Sequence, residues 1–300
     1  MANVKAGWHW WREHGKVRRL SYLLTWLVIA GSLVVGALLA PHMSNIDDSP
    51  VNQYLDFSGD NPAAMRMTKK AYNPAKQRLV LWFNIKSGTS DPSRQVIDQD
   101  VGFKVETLED QGATVTIVPT TINHFVLLID HLTNKFMALR VTVTNNTPQS
   151  AAGGTVTRGG HVAFVVNEKP ALNDSHLPQL TREQYATQAV SADIKKEADT
   201  QDQKRKLTSQ AQAAITADQD KIQALEKELP YQTAGEKDQT QSAVDSLKQD
   251  QKDNQQTIQQ ASDSITASQA KVKLLQAKQA AIADGSYSFP IPQKTQKIKR

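Results

Sequence analysis

The most distinctive stretch of the hydropathy pattern is residues 20–40, an unbroken run of uncharged and mostly apolar side chains. At about 1.5 Å per residue, a helix of this length reaches roughly 31 Å, which matches the hydrocarbon thickness of a bilayer. The pattern therefore predicts one N-terminal transmembrane helix. The alternative is a cleaved signal peptide, but its apolar region is shorter, about 7–15 residues, and it ends at a small-x-small site. Here Pro41 follows the run at once.

Residues 1–19, before this run, are basic and rich in tryptophan. A basic flank stays on the cytoplasmic side, and tryptophan rings favour the interface between membrane and water. We therefore expect a single-pass protein of the cell membrane with a cytoplasmic N-terminus and an extracytoplasmic bulk. The residues predicted to lie at the membrane interface are Trp8, Trp10, Trp11, Arg18 and Arg19.

Residues 41–168 show short runs with the period of β-strands, separated by turn-forming residues. Residues 79–85 are apolar almost throughout, which is typical of a strand buried on both faces, whereas Val101, Phe103 and Val105 alternate with polar positions or glycine. About seven strands without intervening helical periods predict an antiparallel β-sandwich that is immunoglobulin-like in general architecture. The predicted strands are 54–57, 79–85, 101–106, 113–118, 124–129, 138–144 and 161–166.

After a proline-containing linker at 169–180, residues 181–284 carry apolar residues at heptad spacing in an Ala- and Gln-rich background. Such a pattern is typical of a coiled coil. Pro230 and Gly235 interrupt it, and these residues favour a turn, so we predict a long antiparallel helical hairpin that turns near 230–235. A basic tail, 285–300, follows. The second helix has two apolar seams: Val244, Ile258, Ile265 and Val272 form one, and Leu247, Ala261, Leu275 and Ile282 form the other.

The seam of the first helix is interrupted by a polar zone, residues 197–208. In an antiparallel hairpin this zone faces apolar residues of the second helix, so we formulate the hypothesis that it binds another copy of the chain or a partner helix. A locally soft hairpin that shifts its register to use Ala198, Leu207 and Ala214 is the alternative. The candidate interaction residues are Gln201, Lys204, Thr208, Ile258 and Ile265.

Composition narrows the function classes. The chain has no cysteine, which excludes disulfides, thiol catalysis and Cys-ligated zinc. The net charge of +5 comes from the two ends, since residues 1–19 and 294–300 each carry +4 and leave −3 for everything between. A body with this charge disfavours nucleic-acid binding.

Recognisable catalytic motifs are missing: the sequence contains no HExxH, GxSxG, P-loop or EF-hand pattern. The one SxxK match, residues 268–271, falls inside the predicted coiled coil, where no cleft would activate a lysine. The histidines show no metal-ligand spacing on a helix. We therefore predict a non-enzymatic protein without cofactor or metal. A carboxylate pair assembled by the β region stays open as a less favoured alternative, drawn from Asp100, Glu106, Asp110 and Asp130.

The order of anchor, β region and hairpin resembles, in layout, the membrane fusion proteins of bacterial secretion and efflux systems. In that family a strand-rich segment follows the hairpin, whereas here only residues 285–300 follow, and 286–290 can supply one short strand. The chain is therefore not assigned to that family.

We expect a scaffold or accessory subunit of a bacterial envelope complex that functions in secretion, conjugation or transport. Its expected partners are the lipid bilayer, membrane or envelope proteins that bind the coiled coil, and further copies of the chain. The alternative is a cell-surface ligand-binding module or adhesin that acts through the β-sandwich.

Overall fold

The structure is a computed structural model, and no helix in the part of the chain that it describes is long and apolar enough to cross a bilayer. Residues 25–30 and 32 are helical. The rest of the predicted anchor lies outside the described residues, as do the predicted interface residues Trp8, Trp10, Trp11, Arg18 and Arg19. The described residues are 25–30, 32, 47–59, 62–88, 95–108, 112–134, 136–147, 149–150, 156–157, 160–169 and 172–298.

All paired strands of the β region that the structure describes are antiparallel. Its strands are β1 Leu55–Asp56, β2 Ala64–Asn73, β3 Arg78–Lys86, β4 Val101–Thr107, β5 Thr114–Thr121, β6 His124–Asp130, β7 Ala138–Asn145, β8 Gln149–Ser150, β9 Val156–Thr157, β10 His161–Asn167 and β11 Gln296–Lys297. A curled six-stranded sheet has the order β1-β2-β3-β6-β5-β11, a second sheet has the order β10-β7-β4, and β8 pairs with β9. All seven strands predicted from the sequence are present.

The two larger sheets share one apolar core, in which aromatic rings from both sheets meet. Phe83 of β3 lies 5.1 Å from Phe164 of β10 and 5.8 Å from Phe103 of β4, measured between ring centroids. Phe103 also lies 5.2 Å from Phe125 of β6. Ring pairs at such distances add about 0.5–1.5 kcal/mol each to the stability that burial provides.

Strand β3 is buried on both faces, which confirms the expectation from its apolar sequence. One face of β3 joins the shared core, whereas Val80, on the other face, packs in a second cluster with Leu177 and Tyr185. Strand β2 was missed by the sequence analysis. Its sequence AMRMTKKAYN places three cations within ten residues, and a bulge between Met67 and Lys69 breaks the alternation of buried and exposed positions.

Two long helices form the predicted hairpin: α1 spans Arg182–Glu228 and α2 spans Ala234–Ala283. Each begins with a capping box, in which the side chains of the N-cap threonine and of a Gln or Glu three residues later bond reciprocally to the backbone. A 3₁₀ turn, Leu229–Tyr231, joins them at the predicted position, with Pro230 near its start. With 47 residues, α1 is about 70 Å long.

The chain returns to the β region after α2. Gly285 adopts a left-handed backbone with φ of 80° just beyond the end of the helix, and β11 then pairs with the edge of β5. Ile298 is only 5% exposed, belongs to the shared core, and donates its backbone N–H to the Ala113 carbonyl at 2.9 Å. The mixed α+β class is therefore confirmed, and both ends of the hairpin are attached to the same β region.

Candidate functional site

The base of the hairpin encloses a cleft of about 510 Å³ against the outer face of the larger sheet. Strands β2, β3 and β6 form one wall, and the first turns of α1 form the other. This volume lies within the range of small-molecule sites, about 300–1,000 Å³. The side chains that line the cleft come from residues between 52 and 199, which are distant in sequence.

Helix α1 is fixed at the edge of this cleft by Arg182 and Tyr185. The Arg182 guanidinium donates to the Pro119 carbonyl of β5 from Nε at 3.0 Å and from Nη2 at 2.8 Å, and it also donates to the Pro290 carbonyl. Tyr185 is buried and meets Trp82 edge to face, with 6.1 Å between ring centroids. These contacts set the position of the helix that forms one wall of the cleft.

A chain of hydrogen bonds runs through the β-sheet wall to His124. The Tyr54 hydroxyl donates to Asn84 Oδ1 at 2.7 Å, and Asn84 Nδ2 lies 2.9 Å from His124 Nε2. On the other side of the ring, His124 Nδ1 lies 2.9 Å from the Thr121 hydroxyl and 3.0 Å from Asn123 Oδ1. Asn84 and His124 are thus polar residues in mostly apolar strands, and each provides a hydrogen-bond partner for the other.

His124 also connects the sheet to the helix, because its Nε2 lies 3.5 Å from Asp193 Oδ1 on α1. Burial alone would raise the pKa of Asp193, but the hydrogen bond and charge of His124, with the charges of Lys271 and Lys196, outweigh burial and lower that pKa. Asp193 is therefore held ionised at neutral pH at the helix wall of the cleft.

Two cations of β2 lie over aromatic rings of the sheet wall. The Arg66 guanidinium lies 4.8 Å from the ring centroid of Tyr54, and Lys69 Nζ lies 4.9 Å from that of Trp82. Arg66 Nε is buried and has no hydrogen-bond partner among the described residues. Burial raises the pKa of Tyr54, although the charge of Arg66 acts in the opposite direction. The phenol therefore stays protonated as the hydrogen-bond donor to Asn84.

The hydroxyl beside His124 is buried. A serine or threonine nucleophile must be reachable by substrate as well as paired with a base. The hydroxyl beside His124 belongs to Thr121, which is only 1% exposed. Among the residues that the structure describes, no group of three His, Cys, Asp or Glu side chains could hold a metal ion. The cleft is thus a concave site whose helix wall is held in place by Arg182 and Tyr185.

The polar zone predicted in α1 does face α2, and it meets polar groups there. Gln201 Nε2 donates to the Ser268 hydroxyl at 3.1 Å, and Ser268 donates to Glu197 Oε2 at 2.9 Å. Lys271 Nζ lies 2.6 Å from Glu197 Oε1. Burial tends to raise the pKa of Glu197, but hydrogen bonds from Lys271 and Ser268 outweigh it and lower the pKa. Polar groups of the two helices therefore pair with each other in part of this zone.

The other predicted interaction residues are half-buried on the two helices. Lys204 and Thr208 lie on α1, where the Thr208 hydroxyl donates to the Lys204 carbonyl at 3.0 Å. Ile258 and Ile265 lie on α2 at positions of the apolar seam. None of these five residues, including Gln201, lines the cleft at the base of the hairpin. Their binding of another helix stays a prediction.

The sequence analysis missed the cleft because its residues come together only in three dimensions. One signal was available: Asn84 is the single polar residue within the apolar run 79–85, and a buried amide needs hydrogen-bond partners. His124, at the start of the apolar strand β6, carries the same signal. Arg66 and Asp193 carried no such signal in the sequence, because Arg66 lies on the missed strand β2 and Asp193 lies in a helix rich in charged residues.

Comparison with known proteins finds a similarity that is limited to the β region. Residues 58–177 match the family model described as the PXO2-05-like domain. This span is 120 of the 300 residues; it contains β2 to β10 and ends before α1. No curated protein and no solved structure matches the chain.

Proposed function

We propose that this protein is a non-enzymatic, single-pass membrane scaffold or accessory subunit of a bacterial envelope complex for secretion, conjugation or transport. In this proposal residues 20–40 are the anchor, the β region is an immunoglobulin-like sandwich outside the cytoplasm, and the hairpin contacts partner proteins. Two facing antiparallel sheets support the immunoglobulin-like description. The apolar run and its basic flank support the anchor.

One observation carries the proposal: the hairpin is attached firmly at its base and projects beyond the β region. Among the described residues, the hydrogen bonds and ion pairs that join α1 to the sheet come from Arg182 and Asp193, both within its first quarter. Farther along, the polar contacts of the helices are between α1 and α2, as at Gln251 Nε2 and the Ile215 carbonyl, 3.2 Å apart. Tyr231, at the far end, is 85% exposed.

A long projecting hairpin of this kind is suited to binding rather than to chemistry. It offers two solvated helix faces and a tip that carries an exposed aromatic ring, and aromatic rings are enriched at protein interfaces. The buried hydroxyl beside His124 also supports a non-enzymatic role.

The proposal is tested by shortening the hairpin while its base and tip are kept. Residues 205–218 and 248–261 are deleted together, which removes two heptads from each arm and preserves the seam, both capping boxes and the turn. The tagged full-length and shortened proteins are purified in mild detergent from their native membrane, and their companions are identified by mass spectrometry. A Tyr231→Ser variant tests the tip separately.

We expect envelope proteins to co-purify with the full-length chain and to be lost from the shortened one. Circular dichroism must show that the shortened hairpin is still helical. The same companions in both samples would show that the distal hairpin does not bind them, and a full-length protein without companions would overturn the scaffold function.

A further inference from the structure

The cleft at the base of the hairpin is lined by more cations than carboxylates. Its lining includes four cations and two carboxylates, which gives a formal charge of +2 from these six side chains. Among the ion pairs between described residues, none involves any of the four cations. The cations are Arg66, Lys69, Lys195 and Lys196, and the carboxylates are Asp193 and Asp199.

Arg66 is the best placed of these cations to recognise a ligand. Its guanidinium carbon lies over the ring of Tyr54, whose hydroxyl is held by Asn84, so the arginine is supported from one side. An arginine over an aromatic ring can still present the N–H groups at the edge of its plane to carboxylate or phosphate, which accept two parallel hydrogen bonds. A buried N–H without an acceptor, such as Arg66 Nε, destabilises the structure until one is supplied.

The remaining walls suit a small organic anion. Trp82 and Val126 supply apolar surface from the sheet, and Ala189 and Ala192 present only methyl groups from the helix. Lys195 and Lys196 follow on the same helix, where they add positive charge at the mouth of the cleft. An oxyanion would meet arginine at one wall and lysines at the other.

We infer that this cleft is a binding site for a small oxyanion, a carboxylate or phosphate group, with Arg66 as its main ligand-binding residue. A guanidinium can offer an oxyanion two parallel hydrogen bonds, one from Nε and one from a terminal nitrogen. The oxyanion can belong to a free metabolite or to a lipid headgroup, since both present the same chemistry. The inference is independent of the hairpin proposal, because ligand binding here needs no protein partner.

The test uses the full-length protein in non-ionic detergent micelles, with the four tryptophans other than Trp82 replaced by phenylalanine. The fluorescence of Trp82, which lines the cleft, then reports on ligand. Sodium phosphate and sodium acetate are titrated at constant ionic strength, with chloride as the control anion. A parallel titration adds phosphatidylglycerol to the micelles. The variants are Arg66→Gln and, as a matched control, Arg140→Gln, an exposed arginine of the other sheet.

We expect a saturable change with phosphate, acetate or phosphatidylglycerol, and none with chloride. Arg66→Gln should weaken binding about tenfold or more, the effect of losing one charge-assisted hydrogen bond, whereas Arg140→Gln should not weaken it. Binding of phosphate or acetate with no response to phosphatidylglycerol would identify a soluble ligand, and a stronger response to phosphatidylglycerol than to the free anions would identify a headgroup.

Lys195→Gln, at an exposed helix position, gives a second test that does not depend on the folding of the Arg66 variant. We expect it to weaken binding several-fold. The absence of any saturable response would overturn the inference, as would unchanged affinity in both the Arg66 and the Lys195 variants.

Discussion

Ile298, in the segment that follows α2, should stabilise the whole β region although this segment has the composition of a solvated basic tail. Its side chain is 5% exposed and belongs to the core that the two sheets share. Its backbone N–H bonds to Ala113, and the preceding β11 residues pair with β5. The perturbation that tests this role is Ile298→Ala, which removes three carbon atoms from the core and leaves the strand pairing possible.

The expected loss follows from burial. Full burial of an isoleucine side chain stabilises by about 1.5–3 kcal/mol, and truncation to alanine in a packed core costs about 2–5 kcal/mol with the cavity included. Ile298 directly follows β11, a two-residue strand at the edge of the sheet, where the surroundings can partly collapse into the space. We therefore expect a loss near the lower limit, about 2 kcal/mol.

The tail contains its own control. Ile291 is the same residue type, only seven positions earlier, and is 73% exposed. Urea unfolding of the full-length chain in non-ionic detergent, followed by the fluorescence of the buried aromatic core, should show the Ile298→Ala midpoint lowered by about 1 M if the slope is about 2 kcal/mol per molar. Ile291→Ala should stay within about 0.5 kcal/mol of the parent. Equal midpoints for the two variants would refute the reasoning.

Three further predictions concern the hairpin and two glycines. Hydrogen bonds from Lys271 and Ser268 lower the folded-state pKa of Glu197, so its stabilising effect is present above the unfolded pKa and is lost as pH falls through the folded one. Glu197→Gln should therefore lower the melting temperature, followed by circular dichroism, more at pH 7 than at pH 3, unlike the exposed control Glu228→Gln. An equal effect at both pH values would contradict this. Tyr185→Ala removes the largest buried side chain of the apolar cluster under the hairpin base and should lower the free energy of unfolding by about 3 kcal/mol. Amide hydrogen exchange should then accelerate in the first turns of α1 but not at the tip of the hairpin. Uniform acceleration along the hairpin would disprove a local role. A Cβ on Gly160 would lie 1.7 Å from the Ser58 carbonyl oxygen, whereas one on Gly235 meets nothing within 4 Å. In urea unfolding, Gly160→Ala should therefore destabilise the protein by about 1–3 kcal/mol, and Gly235→Ala should be neutral or stabilising. Similar unfolding midpoints for the two variants would count against the close contact between Gly160 and Ser58.

The parts of the fold that could be predicted are those whose periodicity is local. Residues 79–85 are apolar except for Asn84 because β3 has a core on one face and the hairpin base on the other. The prediction of a doubly buried strand was confirmed without any knowledge of what covers it. The heptads and the Pro230 turn likewise determine the hairpin locally. Strand β2 was not predicted because its outward face is cationic, and because Met65 and Met67 alone do not establish the two-residue alternation of a strand.

Features that depend on distant residues were beyond the sequence pattern. The pairing of β11 with β5 joins segments about 180 residues apart, and nothing in the tail except Ile298 marks it as part of a core. The cleft depends on α1 lying across β2, β3 and β6, an arrangement set by Arg182 and Tyr185 at the helix start. Asn84 could have signalled a polar network within an apolar strand, but not the identity of its partners.

Because both ends of the hairpin are attached to one β region, the length of the hairpin can change without changing how it is attached. Matched heptads can be added to or removed from the two arms without moving either root, and each pair changes the position of the tip by about 10 Å. The region of family similarity, residues 58–177, ends before the first arm begins. The length of the two arms therefore determines how far the tip extends from the β region, while the contacts at the base of the hairpin stay the same.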